Sequence, residues 1–384
     1  MIDAQSLRIA GVDPELSFGG GESQVLGLTI ALMEAGHRAD LICDPGGQLW
    51  QRAHTAGVIC HPLRIRNSID VVAGLKLRGY LSHNQYDVVH FHTARAHALA
   101  PYACGRAGAL VVTRRMDYAP NQIFAPWLFN RAVDGVAAIS PAVADALARS
   151  GVATDRIAII PSGVDCERFH PPAAAERERA RGELGLVPGD LAVGTVGMLE
   201  TRKGQRYLIE AMELLRGDGA NAAAAVPTEN LRCFIAGTGA LEDAMASEIA
   251  ARRLGDSVHL MGVIDDSRAL LWALDIFAMP SLHEGLGVAA LEAMACGLPV
   301  VASTTGGLVD AVEDGVTGMQ VPVGDARALA NAIDLLAASA ESRVAMGAAG
   351  RNRVIEKFAI EAMARGTLAL YHACLENRAH RGRQ

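Results

Sequence analysis

Short apolar runs and helical stretches alternate along this chain in two series, and no other feature restricts its fold as much. In the first series the runs fall at residues 7–11, 38–43, 88–91, 110–113, 136–139 and 157–160. A helix is expected over 23–35, where Val25, Leu26, Leu28, Ile30 and Leu32 are apolar. Between 170 and 190 the pattern breaks: Pro171, Pro172, an alanine run and dense charge precede Pro188 and Gly189. It then resumes with strands at 192–196, 232–236, 258–261, 276–279 and 299–302, and helices at 205–215, 241–254, 266–274 and 288–295. Buried strands separated by helices are the signature of parallel sheets covered on both faces. The fold class expected is therefore α/β, with two Rossmann-like domains. The first spans 1–170 and is completed by a C-terminal helical segment at about 358–384. The second spans 190–357, and 171–189 connects the two. Ligands of such folds sit beyond the carboxyl ends of the strands, so a cleft between facing domains is the expected site. The alanine-rich stretch 220–227 is expected to be a surface insertion.

Composition narrows the function. The 384 residues carry a net charge of −7 and only 4% aromatics, which gives neither global attraction nor a stacking surface for nucleic acid. Residues 1–170 hold 15 Lys and Arg against 15 Asp and Glu, so the whole surplus of negative charge lies further along. Only Lys76, Lys203 and Lys357 are lysines, which makes a functionally placed Lys conspicuous. The neutral first domain shows no basic amphipathic helix suited to anionic lipid. Seven widely spaced cysteines without a C-x-x-C predict buried thiols in a reducing compartment. No signal-peptide pattern and no apolar run of about 20 residues occurs. A cytoplasmic protein is the expectation.

The residues that carry chemistry cluster in the second series. In SLHEGLGVAALEAMACGLPVV, residues 281–301, a strand end runs through a glycine turn into a helix and out to another strand. Gly285 and Gly287 permit close backbone approach to a ligand, and a helix starting near Val288 aims its positive end there. Glu284 before that helix and Glu292 on its second turn can accept hydrogen bonds from a polyhydroxyl ligand. Either Glu alone reads more simply as a cap or a solvated residue; the whole string does not.

That string closely resembles the donor-site motif of the family 4 retaining glycosyltransferases, which have the two-domain GT-B fold. GGGESQVLGLTIALMEAGH resembles their glycine-rich first loop and helix, and DVVHFHTARAHAL their segment carrying an N-domain histidine. ISPAV, IIPSGVDCERFHP, VGMLETRKGQRYLIEA, FIAGTGALED and TTGGLVDAVEDGVTGMQVPVGD follow in the family's order, so the likeness covers nearly the full length. The resemblance implies a nucleotide-diphosphate sugar donor, UDP- or GDP-linked, held by the second domain. Glu292 would take the ribose and Arg202 with Lys203 the diphosphate. Glu284 and the backbone of Gly285, Leu286 and Gly287 would take the sugar, with the base near Val263. Gly20 and Gly21, expected just before the first helix, would reach the diphosphate, and His92 would lie close to the transferred sugar. His92, Lys203 and Glu284 are the catalytic candidates. Arg95, Arg114, Arg115 and Asp117 are the expected acceptor contacts, while His90 and His97 read as structural.

One departure stands out. Family members commonly carry an Arg five residues before the Lys, and Met198 occupies that position here; Arg202 is the candidate substitute. No D-x-D and no Cys/His cluster with metal spacing occurs, so metal-independent catalysis without a cofactor is expected, cations and a helix terminus stabilising the leaving group. The resemblance implies hexose transfer with retention to a glycan or lipid-linked acceptor of a bacterial envelope polysaccharide or lipopolysaccharide. Peripheral membrane association through that acceptor follows as an expectation. Alternatives are a sugar-nucleotide epimerase on the same fold and a non-catalytic sugar-nucleotide-binding subunit. A nicotinamide enzyme fits poorly, because about eight residues separate the first strand from its glycines.

Overall fold

The computed structural model describes residues 6–67, 69–118, 120, 123–216 and 230–381. The expected insertion at 220–227 lies outside the described residues. The chain divides into two compact units, residues 1–163 with 360–384, and residues 164–359.

The first unit holds a seven-stranded sheet: β1 Arg8–Asp13, β2 Arg38–Cys43, β3 Cys60–Pro62, β4 Tyr86–Phe91, β5 Ala107–Arg114, β6 Gly135–Ala138 and β7 Ile157–Ile159. All neighbours are parallel, in the order β3-β2-β1-β4-β5-β6-β7. The central strands are apolar almost throughout because helices cover both faces: Val88, Val89 and Phe91 are fully buried. The chain leaves β1 in one direction and returns to β4 on its other side, so β1 and β4 form the switch point. The last helix, Ile360–Arg381, belongs to this unit and meets β5 and the first helix. Small residues let it close in: a Cβ on Gly135 would lie 2.6 Å from Cys374 Sγ.

The second unit repeats the design with β8 Leu191–Val196, β9 Leu231–Ala236, β10 Val258–Gly262, β11 Ile276–Met279, β12 Val300–Ser303 and β13 Gly318–Val321. Its parallel order is β10-β9-β8-β11-β12-β13, with the switch point between β8 and β11. Leu208, Ile209 and Met212 of the Gln205–Arg216 helix seal one face against Val193, Ile235 and Ile276.

The structure alters or sharpens three readings of the sequence. The first helix is Gly20–Glu34, so Gly20 and Gly21 form its first turn instead of preceding it. The Glu22 carboxylate accepts the Gly19 N–H at 2.7 Å and compensates for the poor helix propensity of the glycines. The connecting segment 171–189 contains a helix and packs with the second unit. Its helix, Ala174–Glu183, is fastened to the second sheet by Arg177 and Arg181, which grip Asp275 at 2.6 and 3.0 Å. Asp275 in turn accepts the Ala192 N–H at 2.8 Å, at the start of β8. Lastly, helix Val71–His83 leaves Val71, Val72, Leu75 and Lys76 exposed, with Ile69, Arg64 and Arg66 exposed in the segment before it. An apolar and basic surface therefore exists in a region whose net charge is zero.

Candidate functional site

In the second unit the expected donor residues gather where β8 and β11 end. After β8 the chain makes a single 3-10 turn, Thr201–Lys203, closed by Gly204 at φ +65°. Only glycine fits there, because a Cβ would meet the Pro280 carbonyl oxygen at 2.0 Å. The Arg202 carbonyl accepts N–H bonds from Leu282 at 2.8 Å and His283 at 3.3 Å, so the turns after β8 and β11 are tied together. That tie brings Lys203 Nζ to 2.6 Å from Glu284 Oε2, and Ser281 Oγ donates to the same oxygen at 3.3 Å. Glu284 is buried and Lys203 nearly so. Arg202 lies beside them, its Nε 2.8 Å from Glu200 Oε2.

The glycine turn then delivers the chain into helix Val288–Ala295, capped by Gly287 at φ +91°. The Leu286 side chain is buried in the core, which leaves only the backbone of 285–287 for a ligand. Glu292 follows on the second turn. Burial pushes its carboxyl up to about 7, with Arg168 opposing and Asp266 adding to the rise. Val263 is 70% exposed beyond β10. Met198 projects its thioether outward, and its carbonyl accepts from Gln205 Nε2 at 2.9 Å.

The first unit presents a second polar group at the ends of β1, β4 and β5. His92 is buried, and its backbone N–H donates to the Val12 carbonyl at 3.1 Å. Its ring lies 4.0 Å from that of His90, centroid to centroid. His90 is structural: its nitrogens bond the Tyr371 and Thr113 hydroxyls, each at 2.7 Å. His97 is structural too, through Nε2 and the Thr113 carbonyl at 3.0 Å. Burial keeps all three imidazoles neutral, pushing His90 and His97 down to about 3 and His92 well below its usual range. Arg115 lies beside the start of the first helix, its Cδ 4.0 Å from where a Cβ on Gly21 would stand, and donates to Ser162 Oγ at 3.4 Å. Gly20 has open space around it.

The other expected acceptor contacts are already engaged or set apart. Arg95 forms a two-pronged ion pair with Glu15. Arg114 is buried and donates to the Tyr118 carbonyl at 3.0 Å. Asp117 is half-buried on the loop after β5. One residue escaped the sequence reading: Asp13, the last residue of β1, is 1% exposed and faces this group. Its signal in the sequence is a single acid closing an apolar strand. Among the described residues, no three His, Cys, Asp or Glu side chains converge as a metal-binding group. Also among them, no helix is long and apolar enough to cross a membrane. None of the seven cysteines is in a disulfide; Cys43, Cys233, Cys296 and Cys374 are buried, Cys60 and Cys166 intermediate and Cys104 exposed, so the expected burial holds for four of them.

Comparison with known proteins agrees with this architecture. Residues 18–168 match the family model described as Glycosyltransferase Family 4, and residues 176–353 match that described as Glycosyl transferases group 1. A D-inositol 3-phosphate glycosyltransferase of Pseudarthrobacter chlorophenolicus is 34% identical over 64% of this chain and 58% of its own length. The match thus spans less than two thirds of that relative. The alpha-maltose-1-phosphate synthase of Mycobacterium tuberculosis is 30% identical over 77% of this chain and 76% of that one. Among solved structures, Anabaena HepE in complex with UDP and glucose superposes with a TM-score of 0.83 at 21% identity, covering 96% of this chain and all of that one. The chain has the GT-B fold and belongs to glycosyltransferase family 4.

Proposed function

We propose that this protein is a retaining glycosyltransferase that moves a hexose from a nucleotide-diphosphate sugar to a polyhydroxyl acceptor. The observation that carries the reading is the Lys203–Glu284 pair, 2.6 Å apart, set between two glycine turns and beside a helix N-terminus. A diphosphate leaving group gathers negative charge as the bond from its oxygen to the sugar C1 breaks. Lys203, Arg202 and the N–H groups at 285–288 are the donors suited to that charge. Their joint action supports a reaction without a metal. Glu284 and Glu292 supply carboxylate oxygens for sugar and ribose hydroxyls. Arg202 stands in for the cation that Met198 replaces. His92, neutral and buried, suits a place against the uncharged sugar.

In the proposed reaction the acceptor hydroxyl attacks C1 from the face that the phosphate leaves. The electron pair of the broken bond goes to the phosphate oxygen, which takes the hydroxyl proton. No separate general base is then required. The UDP or UDP-glucose bound in HepE supports a nucleotide sugar donor, which we take to be UDP- or GDP-linked. For the acceptor we propose a glycan or lipid-linked saccharide of the bacterial envelope, reached from the cytoplasmic side by peripheral membrane association. The exposed Ile69, Val71, Val72 and Leu75 beside Arg64, Arg66 and Lys76 support this placement. Cosedimentation with vesicles containing phosphatidylglycerol is expected, and it weakens in Val72→Glu/Leu75→Glu. Equal recovery of both proteins in the supernatant would remove the membrane from the proposal.

The main test is proton NMR of UDP- and GDP-hexoses with the protein and a mixture of saccharide acceptors. Release of nucleotide diphosphate with a product of unchanged anomeric configuration is expected. An inverted product would overturn retention. Epimer and free nucleotide diphosphate formed without acceptor would favour an epimerase. Binding without turnover of any donor would favour a non-catalytic subunit.

A further inference from the structure

Alternation along the strands places Gly11 and Asp13 of β1, His90 and His92 at β4, and Thr113 and Arg115 at β5 on one face of the first sheet. The contacts agree: His90 Nε2 reaches Thr113 Oγ1, and His92 Nε2 lies 3.5 Å from where a Gly11 Cβ would stand. The space a Gly11 side chain would need is taken by Leu41, whose Cδ2 would lie 2.9 Å from that Cβ, with the His92 ring in ordinary contact beyond it. Within this row, His90 spends both ring nitrogens on partners. Asp13 and His92 do not. Asp13 Oδ1 accepts the Glu15 N–H at 3.0 Å, but Oδ2 is buried without a partner. His92 Nδ1 is likewise buried and unpartnered. Such atoms forfeit hydrogen bonds to water, and buried polar groups in folded proteins are otherwise almost always satisfied. The turn after β1 accounts for Oδ1 alone, whereas a ligand hydroxyl would account for Oδ2.

We propose that Asp13 is an acceptor-binding residue: its free Oδ2 accepts a hydrogen bond from a hydroxyl of a polyol or saccharide acceptor, and His92 Nδ1 engages the same ligand. The inference rests on the glycosyl-transfer reading above. Arg115 and the Gly20–Gly21 turn border the position and supply a cation and N–H groups. Glu15 and Glu22 add negative charge around the carboxyl, Arg115 offsets it, and burial dominates, holding the Asp13 carboxyl up at about 7. A carboxyl with that environment gains most from a ligand donor that replaces lost water.

The test uses the full chain, the sugar nucleotide that the wild type cleaves fastest, and glycerol as the acceptor probe. The ratio of glycosyl-glycerol to free hexose is followed with donor KM and melting temperature in wild type, Asp13→Asn and Asp13→Ala. Asp13→Ala is expected to lower the ratio about 10-fold while donor KM stays within about twofold. Asp13→Asn, which keeps an oxygen for the Glu15 N–H, is expected to lower the ratio without lowering the melting temperature. An unchanged ratio in both variants overturns the inference. So does a joint fall of ratio, donor affinity and melting temperature in Asp13→Asn, which marks a purely structural role. A wild type that releases no nucleotide from any donor overturns the glycosyl-transfer reading, and this inference with it.

Discussion

Lys203 and Glu284 are partners before any donor arrives, and that fact governs what single substitutions report. Removing the ammonium leaves a buried carboxylate unpaired, a change that costs about 3 kcal/mol in comparable sites. Lys203→Ala is therefore expected to lose stability as well as nucleotide binding. Replacing both residues by apolar ones of similar size, Lys203→Met with Glu284→Leu, is expected to recover most of the stability and none of the activity. Urea melts of the three proteins check this; equal losses for single and double variants would show that the pair is not coupled. Glu292 offers a pH test. Its carboxyl holds a proton up to about 7 when folded, against 4.5 ordinarily. Folding thus binds that proton more tightly, so the group favours the fold below 4.5 and loses this contribution as pH rises through 7. As a hydroxyl acceptor it works best ionised. Donor KM is expected to rise about tenfold from pH 8 to pH 6 in wild type and to stay level in Glu292→Gln. A parallel rise in both would remove Glu292 from the ribose. At this scale the sequence exposed residues embedded in a long distinctive string, such as Glu284 and Glu292. It hid Asp13 and the Lys203–Glu284 contact, because burial and pairing arise only when distant strands meet.

At the scale of elements, two short turns hold the residues proposed to bind the donor, and glycine is what allows them. Gly204 sits in the left-handed region with no space for a side chain. Gly204→Ala is expected to cost about 2 kcal/mol or more and to displace Lys203, lowering nucleotide release along with the melting temperature. An unaltered melt would contradict the geometry of this turn. Strands with long apolar runs were legible: residues 276–279 and the helix 288–295 match the structure in both ends. β3 and β13 were not. They are edge strands of three and four residues, and Pro62 in one and Gly318 and Gln320 in the other dilute the apolar signal. The start of the first helix was misread because glycine argues against helix, while Glu22 supplies the cap that overrides it.

At the scale of the whole molecule, the doubling of a doubly wound sheet was visible from the restart of alternation near residue 190. Where one unit ends was harder to see. Prolines and charge around 171–189 look like a linker, yet Arg177 and Arg181 commit that segment to the second unit through Asp275. Net charge was a poor guide to function for a similar reason. The surplus of acid lies in the half proposed to bind a dianionic donor, while Arg202 and Lys203, the cations proposed to hold it, are positioned by a turn. In that proposal Lys203 is central. Calorimetric titration of UDP, GDP and their hexose conjugates into wild type and Lys203→Ala addresses that claim most directly. The expected result is binding of one nucleotide series by the wild type and a loss of at least about 30-fold in Lys203→Ala. Equal affinity in the two proteins would contradict the account.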